Sequence, residues 1–226
     1  MKTRKQKRVK PKMSRRSKQS RQSSRPFRHV FCQDALIWLD KQTNLDSIVT
    51  SFPEMSELNI TSVDAYYEFL ESVATKCFKA VKSSGYTVFL FTDRKHNGWI
   101  DKTYPLLHTA RNMNIRLMWH KIALRTDPGK MDLFRPTYSH MLCFSHSGKQ
   151  GRVFPDVIVR GSITYADAFG VEAVHAVVQY LKSNGVRHIT DPFVGSGTTL
   201  AVANKLGMNA TGVDIDQSQC AKARVL

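Results

Sequence analysis

The chain has 226 residues, 42% of them hydrophobic, with 34 Lys/Arg against 18 Asp/Glu and a net charge of +16. That apolar content is enough for one sizeable core, and the lack of any run of about 18 apolar residues excludes a helical membrane span. Four cysteines without a CxxC pair, and eight histidines at no ligand spacing from them, point to reduced, buried thiols and to no metal site.

Charge divides the chain before any pattern does. Residues 1–30 hold 13 basic residues and no acidic one, against 21 and 18 in the remainder. Residues 1–28 are therefore expected to be a disordered basic tail. Its only large apolar residues are Met1, Val9, Met13 and Phe27, too few to offset the entropy of ordering. Such an arm suits phosphate backbones. The expected setting is intracellular. A nuclear or nucleolar signal is compatible with the tail in a eukaryotic cell, and the cytoplasm is the setting otherwise. A mitochondrial presequence is the weaker alternative, because the tail is Lys-dense and lacks an apolar face.

From residue 29 to residue 226 strand and helix patterns alternate within one domain. Residues 29–32 read as a short strand, 34–41 as a short helix, and Leu45–Thr50 as a buried strand broken by Ser51-Phe52-Pro53. Apolar residues at helical spacing predict a helix over 62–83, with Ser62 as N-cap and Gly85 beyond its end. Residues 86–91 are an apolar strand, and 100–113 a helix that Pro105 should bend or restart. Strands over 115–124 and 139–144 have a connection too short for a long crossover, so they are expected to pair antiparallel. A helix over 165–183, a strand at His188–Asp191, a helix over 197–206, a strand at Asn209–Asp214 and a helix from Gln217 complete the chain. The class is α/β, with about seven strands in a mostly parallel sheet and one antiparallel strand at its edge.

Asp191-Pro192-Phe193-Val194-Gly195-Ser196-Gly197-Thr198-Thr199 joins two of these elements, and Thr211-Gly212-Val213-Asp214 ends the next strand. Gly195 and Gly197 allow close backbone approach, while Ser196, Thr198 and Thr199 bring hydroxyls to a helix N-terminus. Asp214 stands where a carboxylate can accept both hydroxyls of a ribose. An acid at Asp191 would repel a pyrophosphate but attract an ammonium or a sulfonium, and there is no GxxxxGK[ST] for a P-loop. S-adenosyl-L-methionine carries all these groups.

The run DPFVGSGTT followed by GVDID resembles the cofactor motif of the amino-methyltransferases, which methylate exocyclic base amines of DNA and RNA. The resemblance implies a Rossmann-like methyltransferase fold in the permuted order, catalytic half first and cofactor half last. It assigns Asp191, Pro192, Phe193, Gly195, Ser196, Gly197, Thr198, Thr199 and Asp214 to the cofactor. The permuted order requires a third cofactor strand near the N-terminus, and Val30-Phe31-Cys32-Gln33-Asp34-Ala35 fits it. Asp34 would then reach the adenine, with an ordinary helix N-cap as its other reading. Phe169 would form the opposite wall.

In the same resemblance, Ser51-Phe52-Pro53-Glu54 stands where the family has [Asp/Asn/Ser]-Pro-Pro-aromatic. An exocyclic amine is a weak nucleophile because the ring delocalises its lone pair. A side-chain oxygen and a backbone carbonyl accept its two N–H groups and aim the lone pair at the methyl. Ser51 and the Phe52 carbonyl can do this. Phe52 replaces the first Pro and Glu54 the aromatic, so a stacking ring must come from elsewhere, Phe52 itself being one candidate. Glu54 is expected to accept from a ring N–H or an amine, or to act as a general base; guanine is one target this would suit. Arg135 and Tyr138 are candidates for gripping substrate phosphate and base. Trp119 reads as core, and His120 and His140 as structural. With the fold filling 29–226, no separate recognition domain is expected, and target choice falls to substrate shape, the tail or a protein partner. RNA (rRNA or tRNA) is favoured over DNA on that ground. The alternatives are an inactive RNA-binding or ribosome-assembly member and a methyltransferase of proteins or small molecules.

Overall fold

The computed structural model describes residues 25–95, 98–151, 154–164 and 168–226. Residues 1–24 of the expected tail, and Tyr165–Asp167 of the expected helix over 165–183, lie outside the described residues. In chain order the elements are β1 (Arg28–Cys32), α1 (Ala35–Leu39), β2 (Leu45–Thr50), α2 (Val63–Ala80), β3 (Val81–Phe91), β4 (Arg94–Lys95), β5 (Trp99–Ile100), α3 (Thr103–Asn112), β6 (Arg116–Leu124), β7 (Tyr138–Ser145), β8 (Val157–Val159), α4 (Val171–Ser183), β9 (His188–Asp191), α5 (Thr198–Lys205), β10 (Asn209–Asp214) and α6 (Gln217–Val225).

Eight strands form one sheet in the order β1-β10-β9-β2-β3-β7-β6-β8, and β4 and β5 make a separate two-stranded ribbon. The first strand pairs in parallel with the last, from Arg28 opposite Ala210 to Cys32 opposite Asp214. The N-terminus thus completes the half of the sheet that the C-terminus builds, as the permuted order requires. All strands share one direction except β7, which is antiparallel to both β3 and β6. Two expectations are corrected here. The sheet has eight strands rather than seven, and its antiparallel strand lies inside the sheet rather than at an edge. The extra strand, β8, is three residues long with Val157 and Val159 exposed. Too short for a periodic signal, it closes the edge beside β6.

Both sheet faces are covered, which is why β2 and β3 read as continuous apolar runs. On one face α4 and α5 bury Val174, Val177, Leu181, Leu200 and Ala203. On the other, α1, α2 and α3 bury Trp38, Tyr66, Leu70, Cys77 and Leu106 against Phe89 and Phe144 of the sheet.

Several element boundaries depart from the sequence pattern for identifiable reasons. Helix α2 starts at its Ser62 cap, whose side chain accepts from Ala65 N, but ends at Ala80. Val81 already pairs with Leu45, and a Cβ at Gly85 would lie 2.6 Å from the Asp46 carbonyl. Gly85 therefore permits close strand contact and does not cap the helix. Pro105 sits in the first turn of α3, where its missing N–H has no partner to lose, so the helix neither bends nor restarts. Helix α4 begins at Val171, with Gly170 as its N-cap. Helix α5 is capped by Gly197 in the left-handed region, φ 95°. A Cβ there would stand 2.7 Å from Ala223 Cα of α6. Gly197→Ala combines that clash with left-handed strain and is expected to cost about 2 kcal/mol, read as a lower urea midpoint at unchanged slope.

Candidate active site

Strands β1, β10, β9, β2 and β3 run in parallel, so the loops that follow them gather at one sheet edge. Between β9 and β2 the chain leaves the sheet in opposite senses, the kind of switch point at which open α/β sheets bind ligands. A cavity of about 780 Å³ opens there, within the range of small-ligand sites. Asp34, Phe169, Pro192, Phe193, Gly195 and Asp214 line one part of it. Ser51, Phe52, Pro53, Glu54 and Arg135 line the other. Residues distant in the chain that sequence reasoning assigned to cofactor and acceptor thus share one cavity.

The cofactor side is set by two acids at strand ends. Asp214 closes β10; its Oδ2 accepts from Gly195 N at 2.9 Å and its Oδ1 from Asp216 N at 2.9 Å. The carboxylate thereby ties the glycine turn after β9 to the turn that opens α6. Asp34 caps α1 by accepting from Ile37 N at 2.9 Å and also faces the cavity. Both readings of Asp34 are therefore compatible with its position.

Asp191 is placed differently from expectation. It lies behind the cavity wall, 4% exposed, accepting from Thr50 Oγ1 at 2.7 Å and Phe193 N at 3.2 Å. Its charge reaches the cavity through the protein, without direct contact. Burial pushes its carboxyl up to about 6, against the opposing hydrogen bonds of Thr50, Thr199 and Phe193. A raised folded value means that its contribution to stability is fully present below the unfolded value, near 4, and is lost as pH rises through about 6. Asp191→Asn is therefore expected to gain stability relative to the parent as pH rises. The gap should widen by roughly 3 kcal/mol between pH 4 and pH 7, as seen in melting curves across that range.

The hydroxyls of the glycine turn are also engaged internally. Ser196 Oγ donates to Gln219 Oε1 at 2.7 Å, and Thr198 shares a hydrogen bond with Thr164 at 2.5 Å. Gly197 packs on α6. Ser196, Gly197, Thr198 and Thr199 thus shape the turn without lining the cavity.

On the acceptor side, the loop after β2 is held at several points. Tyr66 Oη, from α2, donates to the Pro53 carbonyl at 2.9 Å. The Phe52 ring is 7% exposed and packs 5.0 Å from Phe89 and 6.1 Å from Phe91. It is a core anchor, which removes it as the stacking ring. Phe69 and Phe193, 6.2 Å apart edge to face, are the aromatic rings of the lining besides Phe52, Phe91 and Phe169.

Glu54 carries the largest surprise. Its Oε2 accepts from Arg94 Nε at 3.0 Å and from Lys102 Nζ at 3.1 Å, and the Lys102 side chain is 1% exposed. Burial lowers the Lys102 ammonium, and Glu54 opposes that shift. The two ion pairs hold the Glu54 carboxylate in place at the cavity wall. A second tier supports it. Asp93 accepts from Lys102 N at 3.0 Å and Trp99 Nε1 at 3.1 Å, and lies 3.3 Å from His140 Nε2. Tyr138 does not line the cavity; its ring packs edge-on to His140. Trp119 is buried core, and His120 and His140 hydrogen-bond to each other at 2.8 Å.

Arg94, Lys102 and Tyr66 had no motif to announce them. Arg94 lies in β4, a two-residue strand with no counterpart among the expected elements; Lys102 is the N-cap of α3, inside the expected helix over 100–113; and Tyr66 reads only as one apolar position of α2. Among the described residues no helix is long and apolar enough to cross a membrane.

Comparison with known proteins finds matches to the C-terminal segment and to the fold. Residues 164–224 match the model of the N6/N4 methyltransferase family, described as DNA methylase. No curated protein matches the chain by sequence. Among solved structures, the PvuII DNA methyltransferase (cytosine-N4-specific) is similar with a TM-score of 0.71 at 14% identity, over 88% of this chain and 86% of that one. TTHA0409 of Thermus thermophilus, complexed with S-adenosyl-L-methionine, gives 0.65 at 17% identity over 87% and 92%. The M1.HpyAVI–SAM complex gives 0.63 at 12% identity over 88% and 98%. These likenesses establish the fold: a mostly parallel, Rossmann-like α/β sheet.

Proposed function

We propose, from the match of residues 164–224 to the DNA methylase family model, that the chain is an S-adenosylmethionine-dependent methyltransferase acting on an exocyclic amine of a nucleic-acid base. One observation carries the reading: a single cavity joins the Gly195 and Asp214 turns to the Ser51–Glu54 loop. The donor set fits the cofactor. Asp214 offers carboxylate oxygens to a ribose, Phe169 and Phe193 offer apolar walls to an adenine, and the buried Asp191 places negative charge behind a cationic sulfonium and ammonium. When bound, S-adenosylmethionine supplies an activated methyl whose leaving group is a neutral thioether. The protein's part is orientation. Ser51 Oγ and the Phe52 carbonyl accept the two amine N–H groups and aim the nitrogen lone pair into the cofactor side of the cavity.

The matched family and the PvuII enzyme are described as acting on DNA, so DNA is the polymer proposed, in place of the RNA favoured from the sequence. RNA stands as the second reading because residues 1–30 carry 13 basic and no acidic residues, an arm that either polymer would attract. The test is tritiated-methyl transfer from S-adenosylmethionine to DNA, RNA and protein, with Asp214→Ala as control. Label in DNA supports the proposal, label in RNA alone moves the polymer, and label in protein alone overturns it. The reading of an inactive, RNA-binding relative predicts no calorimetric binding of S-adenosylmethionine at all.

A further inference from the structure

We infer that the acceptor site reads guanine, with its 2-amino group as the methyl acceptor, through the Glu54–Arg94–Lys102 cluster. The inference rests on the base-amine reading above and names the base for it. The argument turns on what lies beside the amine on each base. The 6-amine of adenine is flanked by the acceptors N1 and N7, and the 4-amine of cytosine by the acceptor N3. A fixed carboxylate next to the amine-holding oxygens would oppose a nitrogen lone pair in both. The 2-amine of guanine is followed along the same edge by the N1–H donor and then by the O6 acceptor.

One cavity wall carries groups to match. Ser51 Oγ and the Phe52 carbonyl are acceptors, and Glu54 is a carboxylate paired with the cations Arg94 and Lys102. Glu54 Oε2 takes both cations, while Oε1 carries neither contact and is the oxygen assigned to the N1–H. The two ion pairs fix the carboxylate in place before a base arrives, so little reorganisation is needed on binding. The O6 acceptor is assigned to these two cations. Acid thus replaces aromatic at position 54, and a stacking contact gives way to edge recognition. In the transfer, the 2-amino nitrogen forms the new C–N bond with its lone pair, the methyl–sulfur bond of S-adenosylmethionine breaks with its electron pair kept by sulfur, and the extra proton on nitrogen passes to water.

The test uses the full chain, S-adenosylmethionine, and single-stranded DNA and RNA oligonucleotide pools. At the same positions the pools hold guanine, hypoxanthine or 2,6-diaminopurine, and products are digested to nucleosides and identified by mass. Guanine should yield N2-methylguanine and hypoxanthine, lacking the amine, nothing. Diaminopurine keeps the amine but loses N1–H and O6, and should react roughly 100-fold more slowly than guanine. Glu54→Gln can turn its amide N–H to the N1 lone pair, so it should narrow that preference by about tenfold or more; loss of a merely structural ion pair would slow both bases alike. Equal wild-type rates on guanine and diaminopurine would overturn the role given to Glu54, and this comparison needs no variant to fold. Methyl on adenine or cytosine amines would overturn guanine while leaving base-amine transfer standing. Methyl on neither polymer would overturn both.

Discussion

Asp214→Ala is expected to weaken S-adenosylmethionine binding on the order of 1000-fold, measured by calorimetry, while far-UV circular dichroism stays unchanged. Asp214 performs two tasks with one carboxylate. It fixes the turn after β9 through Gly195 N and the turn after β10 through Asp216 N, each at 2.9 Å. A carboxylate offers about four lone-pair sites, so two remain for the hydroxyls of a ribose in the cavity that it lines. Hydrogen bonds to a charged group contribute about 1.5–3 kcal/mol each. Losing two, together with the order of the flanking turns, comes to roughly 4 kcal/mol, or about three decades of affinity. Asp214→Asn keeps one acceptor oxygen and should lose about tenfold to 100-fold. Unchanged affinity in the alanine variant would remove Asp214 from the cofactor site.

The sequence made the cofactor half readable and left the acceptor half partly hidden, for a physical reason. A glycine turn between a strand and a helix is a local arrangement, so Gly195, Gly197 and Asp214 carry their meaning within a few residues. The pairing of β1 with β10 was also legible, because a permuted sheet leaves one strand unaccounted for and residues 29–32 were the segment available. What stayed hidden was non-local. Glu54 looks like a free acid until Arg94 and Lys102 arrive, 40 and 48 positions later. Asp191 looks like a contact residue until Thr50, 141 positions away, turns its carboxylate inward. Strand β8 was missed because three residues show no periodicity, and the end of α2 was misplaced because register with β2 overrides helical propensity at Val81.

The acceptor loop supplies the other large expected effect. Ser51→Ala should lower the single-turnover methyl-transfer rate by about 100-fold to 1000-fold at saturating cofactor, with calorimetric affinity for S-adenosylmethionine unchanged. Ser51 lines the cavity immediately after β2, and its backbone has little freedom to compensate. Upstream, the Thr50 hydroxyl donates to Asp191 Oδ1 at 2.7 Å. Downstream, the Phe52 ring is wedged against Phe89 and Phe91, and Tyr66 Oη holds the Pro53 carbonyl. The Phe52 carbonyl therefore keeps its place when Ser51 Oγ is removed, and the amine retains one acceptor of two. With one N–H unheld, the amine rotates and its lone pair leaves the line of attack, a loss confined to the chemical step. Tyr66→Phe probes the same geometry from behind. It keeps the ring beneath Lys102 but frees the Pro53 carbonyl, and should slow transfer only about fivefold to tenfold, in keeping with one neutral hydrogen bond of ~1 kcal/mol. A Ser51→Ala enzyme with an undiminished rate would mean that the amine is held elsewhere in the cavity and that the Ser51–Glu54 loop is a wall without a catalytic role.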